Sequence, residues 1–215
     1  MILIMESIGL FSLGFIVGLS GATIPGPLFA FTVYDSTRKG KITGHLVIFG
    51  HVIWESIIIL IIIVGLGWVI LQGRTLIYGL GGPVLILMGA GMARSHSSKI
   101  ELENSRTDSS LLGGIFYTAF NPTQPLWWAT AGLALLLKGL EVMSILGVVL
   151  VTAGHWLSDF VYYIFISAIV HHHRRKIIPH QLSLTRVLGV FMAFLGGYFL
   201  YEALAGILRL QFQQG

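Results

Sequence analysis

Apolar residues dominate six stretches of the chain, over residues 7–33, 44–71, 76–93, 111–137, 142–170 and 184–208, and polar residues gather in the short segments between them. About 20 apolar residues in helical form cross the roughly 30 Å hydrocarbon core of a bilayer. The stretches are of about that length. They are continuously apolar, without the in–out alternation of a transmembrane barrel strand. The pattern predicts an all-α integral membrane protein with six transmembrane helices.

Basic residues set the orientation. The segments after the first, third and fifth stretches carry Arg38, Lys39 and Lys41; Arg94, Lys99 and Arg106; and Arg174, Arg175, Lys176 and Arg186. The opposite side carries Arg74, Lys138 and Arg209. Lys and Arg concentrate on the cytoplasmic side, so a bias of ten against three places both termini outside, in a multi-pass protein of the plasma membrane. Residues 95–110 form the one polar segment of any length, rich in Ser with mixed charge, and read as a flexible cytoplasmic linker. They divide the chain into residues 1–94 and 111–215, with three predicted helices each.

The two parts resemble each other. Gly50-His51-Val52-Ile53-Trp54-Glu55 lies in the second stretch of one, and Gly154-His155-Trp156-Leu157-Ser158-Asp159 in the second stretch of the other. The opening stretches match more loosely, through Pro25-Gly26-Pro27 and Asn121-Pro122-Thr123-Gln124-Pro125. Three spans are an odd number, so the halves are expected to run in opposite senses, as two inverted three-helix repeats. Secondary transporters are often built this way, with the substrate site near the midplane between halves.

Composition narrows the class further. Of 215 residues 55% are hydrophobic and only 10% charged, where a soluble domain carries about 25% charged residues. There is too little charge to coat a globule and no length left for a sizeable soluble domain. A net charge of +4 might suggest nucleic acid, but basic residues flanking spans serve topology, so no nucleic-acid partner is expected. The absence of Cys excludes a disulfide framework, a thiol nucleophile and a Cys-based metal site. The N-terminal stretch lacks a basic leader and a small-residue cleavage site, and reads as the first span. No P-loop, Ser–His–Asp spacing or H-E-x-x-H is present, so neither an enzyme nor a cofactor is expected.

The candidate chemistry lies inside the spans. A charge at a helix centre costs about 2.5–3.5 kcal/mol on insertion scales and marks a functional site by default. Glu55 and Asp159 each lie eleven residues from the cytoplasmic end of their stretch, roughly 16 Å deep at 1.5 Å per residue. His51 and His155 precede them by four residues and share their helix faces. Two readings follow. The acids may line a polar cavity that binds a cationic group, with the His residues relaying protons, or each His–acid pair may satisfy itself within its helix. Pro25-Gly26-Pro27 and Asn121-Pro122 interrupt backbone hydrogen bonding, which in lipid must be re-satisfied or face a cavity. They predict broken spans whose half-helix ends point at a substrate, or simple kinks. Asn121 adds an amide for hydrogen bonding. Trp127, Trp128 and Trp156 suit a substrate path or plain packing.

Taken together these residues resemble the LysE-type exporter family of lysine, threonine and homoserine exporters. The resemblance rests on Pro25-Gly26-Pro27, the basic turn Arg38-Lys39-Gly40-Lys41, the G-x-x-x-G-[DE]-like Gly50 to Glu55, Asn121-Pro122, and Gly154 to Asp159, and it covers nearly the whole chain. Trp54 replaces a family Gly, and Thr123 stands where many members have Lys after N-P. The resemblance implies ion-gradient-driven export of amino acids or related small solutes, with Pro25, Gly26, Pro27, Glu55, Asn121, Pro122 and Asp159 as candidate substrate-binding residues. His51 and His155 are not usual features of the family, and are candidate proton relays by their place beside the acids. Efflux of a divalent metal through His51, Glu55, His155 and Asp159 is the competing reading, since imidazole with carboxylate suits Zn-like ions. A membrane enzyme or partner subunit is a third. The expected partners are the bilayer and a small solute, with a homo-oligomer left open.

Overall fold

A computed structural model describes residues 2–23, 26–66, 69, 73–94 and 108–214. Every element among the described residues is helical. The elements are α1 (Ile2–Ala22), α2 (Pro27–Lys39), α3 (Ile42–Ile61), α4 (Arg74–Ala93), α5 (Asp108–Ala119), α6 (Thr123–Trp127), α7 (Leu133–His172), α8 (Arg174–Ile177) and α9 (Gln181–Gln214). A π-helical turn, Ile62–Leu66, extends α3, and another, Trp128–Gly132, joins α6 to α7.

Among the described residues, four helical segments are long and apolar enough to cross a membrane: Leu3–Ala22, Ile42–Gly65, Thr123–His172 and Arg186–Leu208. Thr75–Gly91 and Ser110–Ala119 are shorter apolar helices. The longest of the four cannot be one straight rod, because 50 residues would reach roughly 75 Å, well over twice the hydrocarbon thickness. It folds back at Met143 and Ser144, where Ser144 takes φ 53°, ψ −142°, a left-handed φ that non-glycine residues seldom adopt. Gly139 and Gly147 then face each other backbone to backbone across the bend. This gives two arms, as the polar step at Lys138 and Glu141 leads one to expect.

The proline-rich sites interrupt the helices. Gly26 is extended (φ −149°, ψ −173°) and precedes Pro27 at the start of α2, where the missing N–H costs nothing. Pro25 lies outside the described residues. On the other side, Asn121 and Pro122 separate α5 from α6, and Asn121 Oδ1 accepts from the Thr123 N–H at 3.2 Å and the Thr123 hydroxyl at 2.7 Å. Of the segment expected as a linker, residues 95–107 lie outside the described residues, and Asp108, Ser109 and Ser110 already belong to α5.

Helices from the two ends of the chain interleave. α1 packs on α7, α3 on α5, and α4 on α9. The first two pairings use matching glycines. A Cβ at Gly14 would meet the Val151 carbonyl and one at Gly154 the Phe11 carbonyl. Likewise, a Cβ at Gly114 would meet the Val47 carbonyl and one at Gly50 the Leu111 carbonyl. Helices without a hydrophobic drive between them associate through such small residues. Outward-facing positions carry Ile4, Ile16, Leu60, Leu87, Ile145 and Phe194, all exposed, the surface a lipid solvent accepts and water does not. The core lies between these helices, and its largest fully buried side chain is Trp128.

Candidate functional site

α3 and α7 each bring one His–acid pair to the same point. The i,i+4 spacing first makes the pairs local: His51 Nε2 lies 3.2 Å from Glu55 Oε1, and His155 Nε2 lies 3.3 Å from Asp159 Oδ2. The crossing of the helices then joins them. His51 Nε2 is also 3.5 Å from Asp159 Oδ2, and His155 Nε2 is 3.3 Å from Glu55 Oε1. Each pair therefore meets its partner along its own helix and also reaches the acid of the other pair. All four side chains are buried. Asp159 Oδ2 stands within ion-pair reach of both imidazoles yet has no aligned hydrogen bond.

Glu55 is the most completely held of the four. The indole N–H of Trp128 donates to Oε1 at 2.7 Å, and that of Trp156 donates to Oε2 at 2.9 Å. Hydrogen bonds to an ionised carboxylate are stronger than neutral ones, and an indole donor buried in an apolar region needs an acceptor. The π-helical turn that starts at Trp128 ends at Gly132, whose missing Cβ leaves room for the Trp128 ring. Such turns concentrate at functional sites. Trp127 stacks on His155, with centroids 4.9 Å apart at 27°.

The hydrogen bonds fix where protons sit. Thr118 donates its one hydroxyl hydrogen to the Gly114 carbonyl at 2.6 Å, so His51 Nδ1, 3.0 Å from that oxygen, must be the donor to it. A neutral imidazole carries a proton on only one nitrogen. His51 Nε2 would then turn a lone pair toward two carboxylates. The contacts at 3.2 and 3.5 Å are attractive only when a further proton lies between His51 and the acids. His155 differs. Its Nδ1 has no partner among the described residues and rests against Gly18, where a Cβ would approach to 2.6 Å, so its Nε2 is the protonated side and donates to Glu55 Oε1 at 3.3 Å.

Around this box lies a cavity of about 150 Å³. His51, Glu55, Asn121, His155, Asp159 and the backbone of Gly26 line it. Pro27 and Pro122 are buried but are not among its lining residues; they shape the breaks beside it. Asn121 Oδ1 is committed to Thr123, so that oxygen holds the break rather than facing a solute. Pattern reading left Trp128 and Trp156 open between a substrate path and packing, and missed Thr118 and Gln124. Trp156 had a signal, since an indole N–H one position from an intramembrane His requires a partner. His51, Glu55 and Asp159 each offer one ligand atom, and these lie within 4.8 Å of one another, so the donor set fits a divalent cation.

A second polar layer ties the ends of α2, α3, α5 and α7. The Ser110 hydroxyl donates to Asp35 Oδ2 at 2.6 Å, and Lys39 Nζ lies 3.3 Å from Asp35 Oδ1. Ser36 donates to Ser167 Oγ at 3.0 Å, which also accepts from the Gly44 N–H at 3.1 Å. Toward the site, Phe31 stacks on Tyr117 with centroids 4.4 Å apart.

Comparison with known proteins adds one result. The profile of the LysE type translocator family matches residues 19–203, a stretch that takes in both His–acid pairs and both helix breaks. No curated protein and no solved structure is significantly similar to the chain.

Proposed function

We propose that this chain, which belongs to the LysE type translocator family, exports amino acids or closely related small solutes across the plasma membrane, driven by an ion gradient. Membership makes it a translocator that handles small molecules within a bilayer. The finer reading is carried by one observation: two acids and two imidazoles from different helices converge, buried, on a single cavity. Buried intramembrane charge is too costly to keep for packing alone. Glu55 and Asp159 supply a site for a cationic group, and the proton required between His51 and the acids offers a coupling ion that His51 and His155 can pass on.

The same reading treats the chain as two inverted three-helix repeats, residues 1–94 and 111–215. The matched contacts of Gly14 with Val151 and Gly114 with Val47 support it, as do the breaks at Gly26 and Asn121, one in each half and both lining the cavity. In such a plan each repeat contributes one His–acid pair, and rocking of one repeat against the other exposes the site alternately. The terminal ends face outward by the distribution of basic residues.

The ligand atoms of His51, Glu55 and Asp159 favour one second reading, in which the cargo is a divalent metal. A counterflow screen separates the two. Purified protein in liposomes, preloaded with unlabelled solute, is offered labelled amino acids and divalent metals at two pH values. Amino-acid counterflow that changes with pH is expected. Counterflow of a metal alone would overturn the reading in favour of metal efflux, and exchange of neither would overturn both.

A further inference from the structure

The polar atoms of the cavity are not equally available to a solute. Both Glu55 oxygens already accept indole N–H bonds. Asn121 Oδ1 is taken by Thr123, and His155 Nδ1 rests against Gly18. Gln124 is in the opposite condition. It lines the cavity, is 8% exposed, and neither its Nε2 nor its Oε1 has a hydrogen-bond partner among the described residues. A primary amide has two donors and an acceptor to satisfy, and leaving both ends buried and unpaired is unfavourable. Asp159 Oδ2 lines the same cavity and also lacks an aligned donor.

We infer that Gln124 is the contact through which the cavity recognises its solute, and that this solute is a small amino acid with an uncharged side chain. The inference rests on the exporter reading above and narrows it. A zwitterion matches the free atoms. Its carboxylate accepts from Gln124 Nε2, and its ammonium donates to Gln124 Oε1 and Asp159 Oδ2. An anionic side chain finds no fixed cation, because no Lys or Arg is among the residues lining the cavity, and burying such an unpaired charge is strongly unfavourable. A cationic one is excluded by its length rather than by its charge. Size agrees. A cavity of about 150 Å³ is large enough in another protein to admit benzene, a scale that suits alanine, serine or threonine rather than a long or aromatic side chain. Ordered water would satisfy the amide equally well, and the test must distinguish the two.

Gln124→Met keeps the length of the side chain and removes the amide. Counterflow of labelled alanine, serine, threonine, lysine and glutamate is measured for wild type and variant in liposomes, and thermal unfolding is followed in detergent with and without alanine. Wild type is expected to exchange the small neutral amino acids in preference to the charged ones. Gln124→Met should raise their half-saturation concentration about tenfold, the value of one hydrogen bond, and abolish the stabilisation by alanine. Its unfolding temperature without solute should be unchanged or higher, since an unpaired buried amide has gone. Wild-type saturation in the variant would overturn the role of Gln124, as would a lower unfolding temperature with unchanged affinity. Preference for lysine or glutamate would overturn the uncharged class. A wild type that exchanges no amino acid rejects the exporter reading itself, a result distinct from exchange that Gln124→Met leaves untouched. If Gln124→Met is not recovered folded, Gln124→Asn serves in its place, and wild-type affinity there would overturn the inference.

Discussion

Glu55 sits where two kinds of partner meet, imidazoles at ion-pair distance and indoles that donate to it. The two indole hydrogen bonds, one to each oxygen, fix the carboxylate's position. Trp156→Phe keeps the ring and removes the donor to Oε2. A hydrogen bond to a charged group is worth about 1.5–3 kcal/mol, so thermal unfolding of the purified variant should move down by a corresponding amount and transport should fall about tenfold. An unchanged unfolding temperature would show that the indole contributes no support. The acids were legible in the sequence because a charge in an apolar run stands out, and their matching depth predicted that they could meet. Trp128 and Trp156 were not, because an indole in a span looks the same whether it packs, faces lipid or donates to a carboxylate. Gln124 was hidden within Asn121-Pro122-Thr123-Gln124-Pro125, where the prolines drew the reading toward a break, and only its burial without a partner distinguishes it.

At the scale of elements, backbone contact through glycine decides which helices pair. Gly50 on α3 meets α5, and Gly154 on α7 meets α1, each with a carbonyl where a Cβ would go. Gly50→Ala and Gly154→Ala should each cost about 1–3 kcal/mol, the usual penalty of overpacking, read from thermal unfolding in detergent. Similar losses at the two positions are expected if the pairings are equivalent, and a neutral effect at either would contradict the close approach there. The breaks before α2 and α6 were legible because Pro removes a donor wherever it stands. Breaking also made the first and fourth predicted spans into two helices each, a division that a count of apolar residues cannot make. The start of α5 at Asp108 was not legible. Its Ser-rich composition reads as a linker, and what holds Ser110 in a helix is its tertiary bond to Asp35.

In the proposed topology the basic segments lie on one side of the membrane and the cavity lies between two halves. Because the chain has no Cys, orientation can be tested on a silent background. Lys138→Cys should react with a membrane-impermeant maleimide in intact cells, and Arg175→Cys only after permeabilisation. The reverse pattern would invert the topology. In the proposed function the shared acids carry the solute and its coupling ion. The most direct measurement of that role is counterflow through liposomes containing Glu55→Gln/Asp159→Asn, compared with wild type at equal reconstitution and with helical content checked. The double variant is expected to be folded and inserted with its exchange abolished, and exchange at the wild-type rate would show that the two acids do not carry the solute.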